Sequence, residues 1–185
     1  NHDGVINASD KVDLGNGLPK YTFGFNVNLA WKGFDLSANF TGAAGFQIAQ
    51  SYRDPSSSQA NYSRRILKRW TGEGTSNEIP RVTYGDVGNW LFSDLYLQDG
   101  DYIRLQNLTM GYDFKKLISW KGLSKMRLYF QVQNLFTLTK YDGMDPEIGS
   151  YNGTDGNSSD SWVSGVDMGY YPHPRTFIVG LNLAF

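Results

Sequence analysis

The sequence predicts an all-β protein that forms an antiparallel segment of a transmembrane β-barrel, and three observations support this prediction. Apolar and polar residues alternate in several stretches, as they do in strands whose two faces meet different surroundings. The clearest of these stretches, residues 21–31, has the roughly 9 to 11 residues that a tilted strand needs to cross a bilayer. The connections alternate between short and long, which is typical of barrels with short periplasmic turns and long extracellular loops.

The composition suits such a barrel although it is polar on average. The mean hydropathy of the 185 residues is −0.44, and no run of roughly 18 apolar residues predicts a transmembrane helix. Strands that alternate lipid-facing and lumen-facing residues produce such an average. The 21 Gly, 12 Tyr, 11 Phe and 5 Trp supply turn formers and interfacial aromatic residues. The net charge of −1 gives no indication of nucleic-acid binding, and the absence of cysteine excludes a disulfide framework and a thiolate metal site.

The clearest strand is predicted over residues 21–31. Its odd positions are all apolar or aromatic: Tyr21, Phe23, Phe25, Val27, Leu29 and Trp31. Small and polar residues occupy the even positions, so one face is expected to contact lipid and the other to face the lumen. Aromatic residues at both ends fall where an interfacial girdle is expected.

Four further strands are predicted over residues 34–46, 102–114, 126–139 and 175–185. The turn Lys32-Gly33 leads into the first of them, whose apolar face runs from Phe34 to Phe46. The long connections, residues 47–101 and 140–174, are predicted to be extracellular loops, so that the last strand ends at the periplasmic rim. The apolar faces of the middle two strands are interrupted at Gln106 and Asn134. We expect these two residues to lie side by side at the outer interface of the membrane.

A soluble antiparallel sandwich is the alternative fold, because its strands also alternate with period two. Such a fold would have to bury the apolar face of residues 21–31 and the aromatic residue Phe185 at the end of the sequence. Loops of about 50 residues are also uncommon in compact domains. The membrane barrel is therefore the preferred prediction.

Five parts of the sequence match a known family in the family's own order. They are Leu-Pro-Lys-Tyr-Thr-Phe-Gly-Phe at 18–25 with Trp-Lys-Gly-Phe-Asp-Leu at 31–36, Arg-Trp-Thr-Gly at 69–72 with Ile-Pro-Arg at 79–81, residues 99–112, residues 133–141 leading to Asp-Pro-Glu at 145–147, and residues 171–185. In these motifs the chain resembles the C-terminal barrel portion of the SusC/RagA-type TonB-dependent outer-membrane transporters of Bacteroidota.

The resemblance implies that the chain forms the last five strands of a barrel of about 22 strands, which an N-terminal plug domain outside this sequence fills. Five strands do not close a barrel, because the smallest membrane barrels have about eight. The first residues, Asn-His-Asp-Gly, do not form a signal peptide. We therefore expect the chain to be a piece of a longer outer-membrane protein.

The resemblance also implies a function and a set of partners. The expected function is TonB-energised import of a large nutrient, an oligosaccharide or a peptide, across the outer membrane. The expected partners are outer-membrane lipids, a SusD-like surface lipoprotein, and TonB, reached through the missing N-terminal part. The alternating residues of the last strand resemble the signal that the barrel-assembly machinery reads: Phe177, Val179, Leu181, Leu183 and Phe185.

Exposed aromatic residues of the two long loops are the candidate substrate contacts. Aromatic rings stack on sugars or cap peptides and bury a large area with little loss of side-chain entropy. The candidates are Tyr52, Trp90, Tyr151, Trp162, Tyr170 and Tyr171.

No enzyme activity, cofactor or metal is expected from the remaining residues. The histidines are His2 and His173 alone, and the second lies between two prolines, where a rim or loop role is expected. The carboxylates Asp142, Asp145 and Glu147 do not follow the ligand spacing of a calcium loop, so a turn is preferred. An outer-membrane barrel enzyme of the protease or lipase type, which would need a Ser/His or Asp/His site, and a surface glycan-binding protein are the alternative functions.

A short helix is predicted over residues 59–70 in the first long loop. Tyr62, Ile66 and Trp70 would share one face of that helix. Its basic residues Arg64, Arg65, Lys68 and Arg69 are expected to form a solvated face. Contact of these residues with lipopolysaccharide phosphates or with a partner lipoprotein is the alternative.

Overall fold

The structure is a computed structural model that describes residues 4–5, 7–51, 64–82, 92–148 and 165–185. Its strands in these ranges are β1 Tyr21–Trp31, β2 Phe34–Ala44, β3 Gln47–Gln50, β4 Leu97–Asp99, β5 Tyr102–Asp113, β6 Lys125–Thr139, β7 Val166–Asp167 and β8 Thr176–Ala184. Short 3-10 helices cover Ala8–Asp10, Arg64–Lys68, Asp94–Tyr96 and Phe114–Lys116. Among the described residues, no helix is long and apolar enough to cross a membrane.

Five strands form one antiparallel sheet in the order β1-β2-β5-β6-β8. The sheet confirms the predicted all-β antiparallel fold, and its five strands begin and end within two residues of the predicted positions. The end of the sheet that carries the short connections, at residues 32–33 and 114–124, is here called the turn end. The opposite end, here called the loop end, carries the long connections between β2 and β5 and between β6 and β8.

The register aligns the apolar residues of neighbouring strands into continuous rows. One row contains Val27, Ala38, Leu108, Val132 and Phe177, and the next contains Leu29, Leu36, Met110, Phe130 and Val179. The apolar side chains of the two outermost strands are largely exposed: Leu29 of β1 is 60% and Val179 of β8 is 73% exposed. Polar rows such as Asn26, Asn39, Asn107, Gln133 and Thr176 lie on the other face. The sheet therefore has one apolar and one polar face, as the alternation predicts.

A bulge interrupts this pattern where β5 meets β6. Between the pairs Leu105–Phe136 and Asn107–Gln133, β5 has one residue, Gln106, and β6 has two. Gln106 and Asn134 thus lie on adjacent strands, as predicted, and Asn134 adopts φ 51. Beyond the bulge the apolar face resumes with the pairs Phe40–Leu105 and Leu105–Phe136, because Gln106 is an extra residue of β5 relative to β2 and changes the phase of β5. The interruption coincides with this change of phase, and the position of the two residues at the outer interface of the membrane stays a prediction.

The second predicted strand ends earlier than expected, at Ala44. Gly45 has φ +79, which favours glycine, and its N–H donates to Asp101 Oδ1 at 2.6 Å. The chain bends there, and Phe46 is only 8% exposed in place of lying on the apolar face. The prediction of a single strand over residues 34–46 is corrected accordingly.

Parts of the two long connections form a second sheet at the loop end. Its strand order is β4-β3-β7, with β3 antiparallel to β4 and parallel to β7. A buried cluster of Ala43, Phe46, Ile48 and Tyr141 joins it to the main sheet. The segments that the sequence predicts as loops thus include ordered, packed structure.

The predicted helix of the first long loop is shorter and of another type. Arg64–Lys68 forms a 3-10 helix, and residues 59–63, including Tyr62, lie outside the described residues. Trp70 follows the helix and donates its N–H to Ile79 O at 2.8 Å. The spacing of an α-helix therefore does not apply to Ile66 and Trp70.

Candidate functional site

The polar face of the main sheet is the candidate functional surface, because its side chains carry charge at both ends. At the turn end, Arg127 Nε donates to Asp35 Oδ1 at 2.8 Å and Nη2 to Oδ2 at 2.5 Å. The two parallel hydrogen bonds hold the guanidinium flat. Gly111 leaves room for it, since a Cβ there would lie 2.5 Å from Nη2. The Arg127 guanidinium carbon lies 5.1 Å from the Tyr129 ring centroid.

At the loop end, Arg104 is the central buried charge, with 3% of its surface exposed. Its Nε donates to Thr137 Oγ1 at 2.9 Å, and its Nη1 donates to Glu147 Oε2 at 2.6 Å. Its Nη2 donates to Asp145 Oδ1. One guanidinium thus joins β5 and β6 to the segment after β6.

Asp145 extends this network to the segment before β8. It is 6% exposed, and it also accepts the backbone N–H groups of Glu147 at 2.9 Å and His173 at 3.1 Å. His173 Nε2 lies 3.8 Å from Glu147 Oε2. Arg104, Asp145, Glu147 and His173 are here called the arginine cluster. A buried carboxylate with this many donors fixes the surrounding backbone.

The carboxylates considered for calcium have other contacts. Asp145 and Glu147 bind Arg104, while Asp142 Oδ1 accepts hydrogen bonds from Gln50 Nε2 at 2.8 Å and from Gln98 Nε2. Across the ranges that the structure describes, no group of three or more His, Cys, Asp or Glu residues could hold a metal ion. His173 contributes its backbone N–H to the cluster, which fits the rim or loop role expected for it.

Two of the six candidate substrate contacts lie in the described structure, next to the arginine cluster. Tyr170 is half-buried, and its N–H donates to Asp167 Oδ1 at 3.0 Å. Tyr171 is 85% exposed at the loop end. The other four, Tyr52, Trp90, Tyr151 and Trp162, lie outside the described residues. A substrate role for all six stays a prediction.

A buried aspartate holds the segment that leads to these tyrosines. Asp167 is fully buried and accepts Tyr141 Oη at 2.5 Å and Gly169 N at 2.8 Å. Neither Asp167 nor the arginine cluster is predicted from the sequence. Two features of the sequence could have indicated the arginine cluster. Arg104 occupies a position that the alternation of its strand assigns to the polar face, and Asp-Pro-Glu stands at 145–147.

Four residues of the predicted assembly signal lie on the apolar face of β8, an edge strand of the sheet, and Phe185 directly follows that strand. Their exposed fractions are 61% for Phe177, 73% for Val179, 51% for Leu181, 48% for Leu183 and 79% for Phe185. The Phe185 ring meets Trp120 edge-on at 6.2 Å between centroids. These five side chains are therefore exposed enough to contact another molecule along the whole strand.

The comparisons with known proteins agree with this two-faced sheet. TonB-dependent receptor P3 of Formosa agariphila is 35% identical over 99% of this chain. TonB-dependent receptor SusC of Bacteroides thetaiotaomicron is 29% identical over the whole chain. Over nearly its whole length the chain is similar to TonB-dependent receptors of the SusC/RagA type. It covers 18% of the first relative and 17% of the second. No family model matches the chain.

Solved structures of the RagAB peptide importer share the fold of this chain. The RagAB peptide transporter structure has a TM-score of 0.67 and 25% identity, over 88% of this chain and 17% of the other. The importer in the closed-closed state has a TM-score of 0.69 and 22% identity, over 99% of this chain and 20% of the other. As receptors of this type are outer-membrane proteins of Bacteroidota, the chain is located in the bacterial outer membrane.

Proposed function

We propose that the chain forms part of the barrel wall of a transporter that imports a large nutrient, an oligosaccharide or a peptide, energised by TonB. The two-faced antiparallel sheet carries this proposal, because a sheet of this kind separates lipid from a polar lumen. Its relatives are named TonB-dependent receptors, and one solved neighbour is named a peptide importer. In this arrangement the sheet supplies five strands of a barrel of about 22, and the plug comes from another part of the protein.

In the proposed orientation the loop end is extracellular and the turn end periplasmic. The long connections form the second sheet and supply Asp145, Glu147 and His173 to the arginine cluster, and they present Tyr171 at 85% exposure. Barrels of the outer membrane carry their long loops outside and their short turns inside. The loop end would then meet the substrate together with a SusD-like lipoprotein, and the polar face would line the path past the plug.

The proposal is tested by transport in cells that carry the full-length receptor. A strain lacking the receptor gene should fail to grow on an oligosaccharide or peptide mixture that the parent strain uses, and the intact gene should restore growth. A strain without TonB should show the same defect, while growth on monosaccharides and free amino acids should stay normal. Equal growth of the deletion strain on every polymer tested, with no lipoprotein copurifying with the receptor, would contradict the proposal.

The apolar face of β8 is also proposed to be read by the barrel-assembly machinery. In the full-length receptor, Phe185→Ala should lower the amount of assembled protein in the outer membrane several-fold, because the ring lies 79% exposed on that face. Quantitative blotting of washed outer membranes measures this amount. Asn182→Ala, on the polar face of the same strand, is the matched control. Equal levels of both variants and the parent would contradict this role.

A further inference from the structure

We propose that the turn end binds the headgroup of an anionic phospholipid at a rim of lysines and tryptophans. The lysine rim is defined here as Lys32, Lys115, Lys121 and Lys125. The proposal rests on the proposed orientation, in which this end lies at the periplasmic leaflet. It adds a specific lipid ligand to that function and assigns the residues that hold it.

The distribution of charge distinguishes the turn end. Residues 114–125 contain four lysines and no Asp or Glu, and the neighbouring turn adds Lys32. Of the acidic residues at the adjoining strand ends, Asp35 is paired with Arg127, and Asp113, whose Oδ1 accepts Lys115 N at 3.0 Å, leaves one negative charge against five lysines. Lysines near a membrane surface attract anionic lipids. The turn end is thus electropositive where a headgroup would lie.

Two exposed tryptophans indicate where the lysine rim lies relative to the membrane surface. Trp31 is 67% and Trp120 60% exposed. Lys32 Nζ lies 4.9 Å from the Trp31 ring centroid, and Lys115 Nζ donates to Trp120 O at 2.7 Å. Tryptophan is enriched at the boundary between the acyl chains and the headgroups. The ammonium groups of Lys32 and Lys115, which contact the Trp31 ring and the Trp120 carbonyl, therefore lie at the level of lipid phosphates.

An apolar surface for the acyl chain begins directly next to the lysine rim. Lys125 is the first residue of β6, and the following apolar pairs are Met126–Leu183 and Leu128–Leu181 between β6 and β8. Leu128 is 43% and Leu183 48% exposed. A phospholipid fits both features, since its phosphate would contact the lysines and its chains the leucines. A free phosphate or an acidic protein segment would leave the apolar surface uncovered.

The proposal is tested by native mass spectrometry of the full-length receptor in detergent. Phosphatidylglycerol, phosphatidylcholine and lipid A are added separately, and bound lipid is measured for the parent and for Lys115→Gln/Lys121→Gln. The double variant should bind phosphatidylglycerol roughly tenfold more weakly, as two basic residues near the headgroup are lost. Lys115→Arg/Lys121→Arg should bind as the parent does. Lys20→Gln/Lys140→Gln, at the loop end, is the matched control.

Several outcomes would overturn this site. They are equal phosphatidylglycerol binding by the double variant and the parent, an equal loss in the loop-end control, or binding of phosphatidylcholine as strong as that of phosphatidylglycerol. Preference for lipid A over phosphatidylglycerol would assign the lysine rim to the opposite leaflet and overturn the phospholipid assignment. Transport plays no part in this measurement, so a failure of the import assay alone would leave the lipid result standing.

Discussion

Replacing Arg104 by alanine is expected to detach the segments after β6 and before β8 from the barrel wall. The change leaves Asp145, only 6% exposed, without its buried counter-charge. Removing one partner of a buried ion pair costs about 3–5 kcal/mol. Glu147, whose side chain is 45% exposed, adds little, because water screens its charge. Residues 140–148 and 171–175 should lose protection together, since the same carboxylate binds both segments.

Hydrogen exchange of the full-length receptor, followed in peptides covering these two segments, measures the effect. Asp145→Asn should have a smaller effect, as an amide oxygen in the place of Oδ1 still accepts from Glu147 N–H and Arg104 Nη2, while the hydrogen bond from His173 N–H to Oδ2 is lost. Arg175→Ala is the control, because this arginine is exposed beside the same segment. Unchanged exchange in both segments of Arg104→Ala would show that the arginine cluster does not hold them.

Replacing Val27 by arginine is expected to prevent stable insertion, while the same change at Asn28 is expected to be tolerated. Val27 lies at the middle of β1 on the apolar face, and Asn28 is its neighbour on the polar face. An arginine on the lipid face near the bilayer midplane costs about 2–4 kcal/mol, and a lumen-facing one costs far less. The two variants carry the same substitution at neighbouring positions, so their chain length and added charge are the same.

Heat modifiability on gels and the urea midpoint of the purified full-length receptor compare the two variants. Val27→Arg should give a lower folded fraction and a lower midpoint than Asn28→Arg. A reversed order, with Asn28→Arg the more damaging, would mean that the apolar row faces away from lipid.

The strands of the main sheet were predictable because their alternation is long. Residues 21–31 alternate without a break, and β1 has the predicted bounds. The end of β2 was not predictable from period alone, since Phe46 continues the apolar phase while Gly45 bends the chain. The bulge at Gln106 was visible as a polar residue in an apolar row, but the pattern alone did not show that a register shift lies there.

The candidate site was predictable only in its general location. The loop end follows from the long connections, yet the contact of Arg104 with Asp145 joins residues 41 positions apart. Periodicity carries no information about such a pair, because each partner satisfies its own local pattern. Buried Asp167 and its bond to Tyr141 are further contacts of this kind.

The most direct test of the two-faced barrel wall is a spin-label scan along β1 of the full-length receptor in lipid bilayers. Single cysteines at positions 23–29, in a background without other cysteines, carry a nitroxide whose collisions with oxygen and with a water-soluble nickel complex are measured. Oxygen accessibility should peak at positions 23, 25, 27 and 29, and nickel accessibility should be higher at positions 24, 26 and 28. Accessibility without a period of two, or with the opposite phase, would contradict a membrane wall built from this sheet.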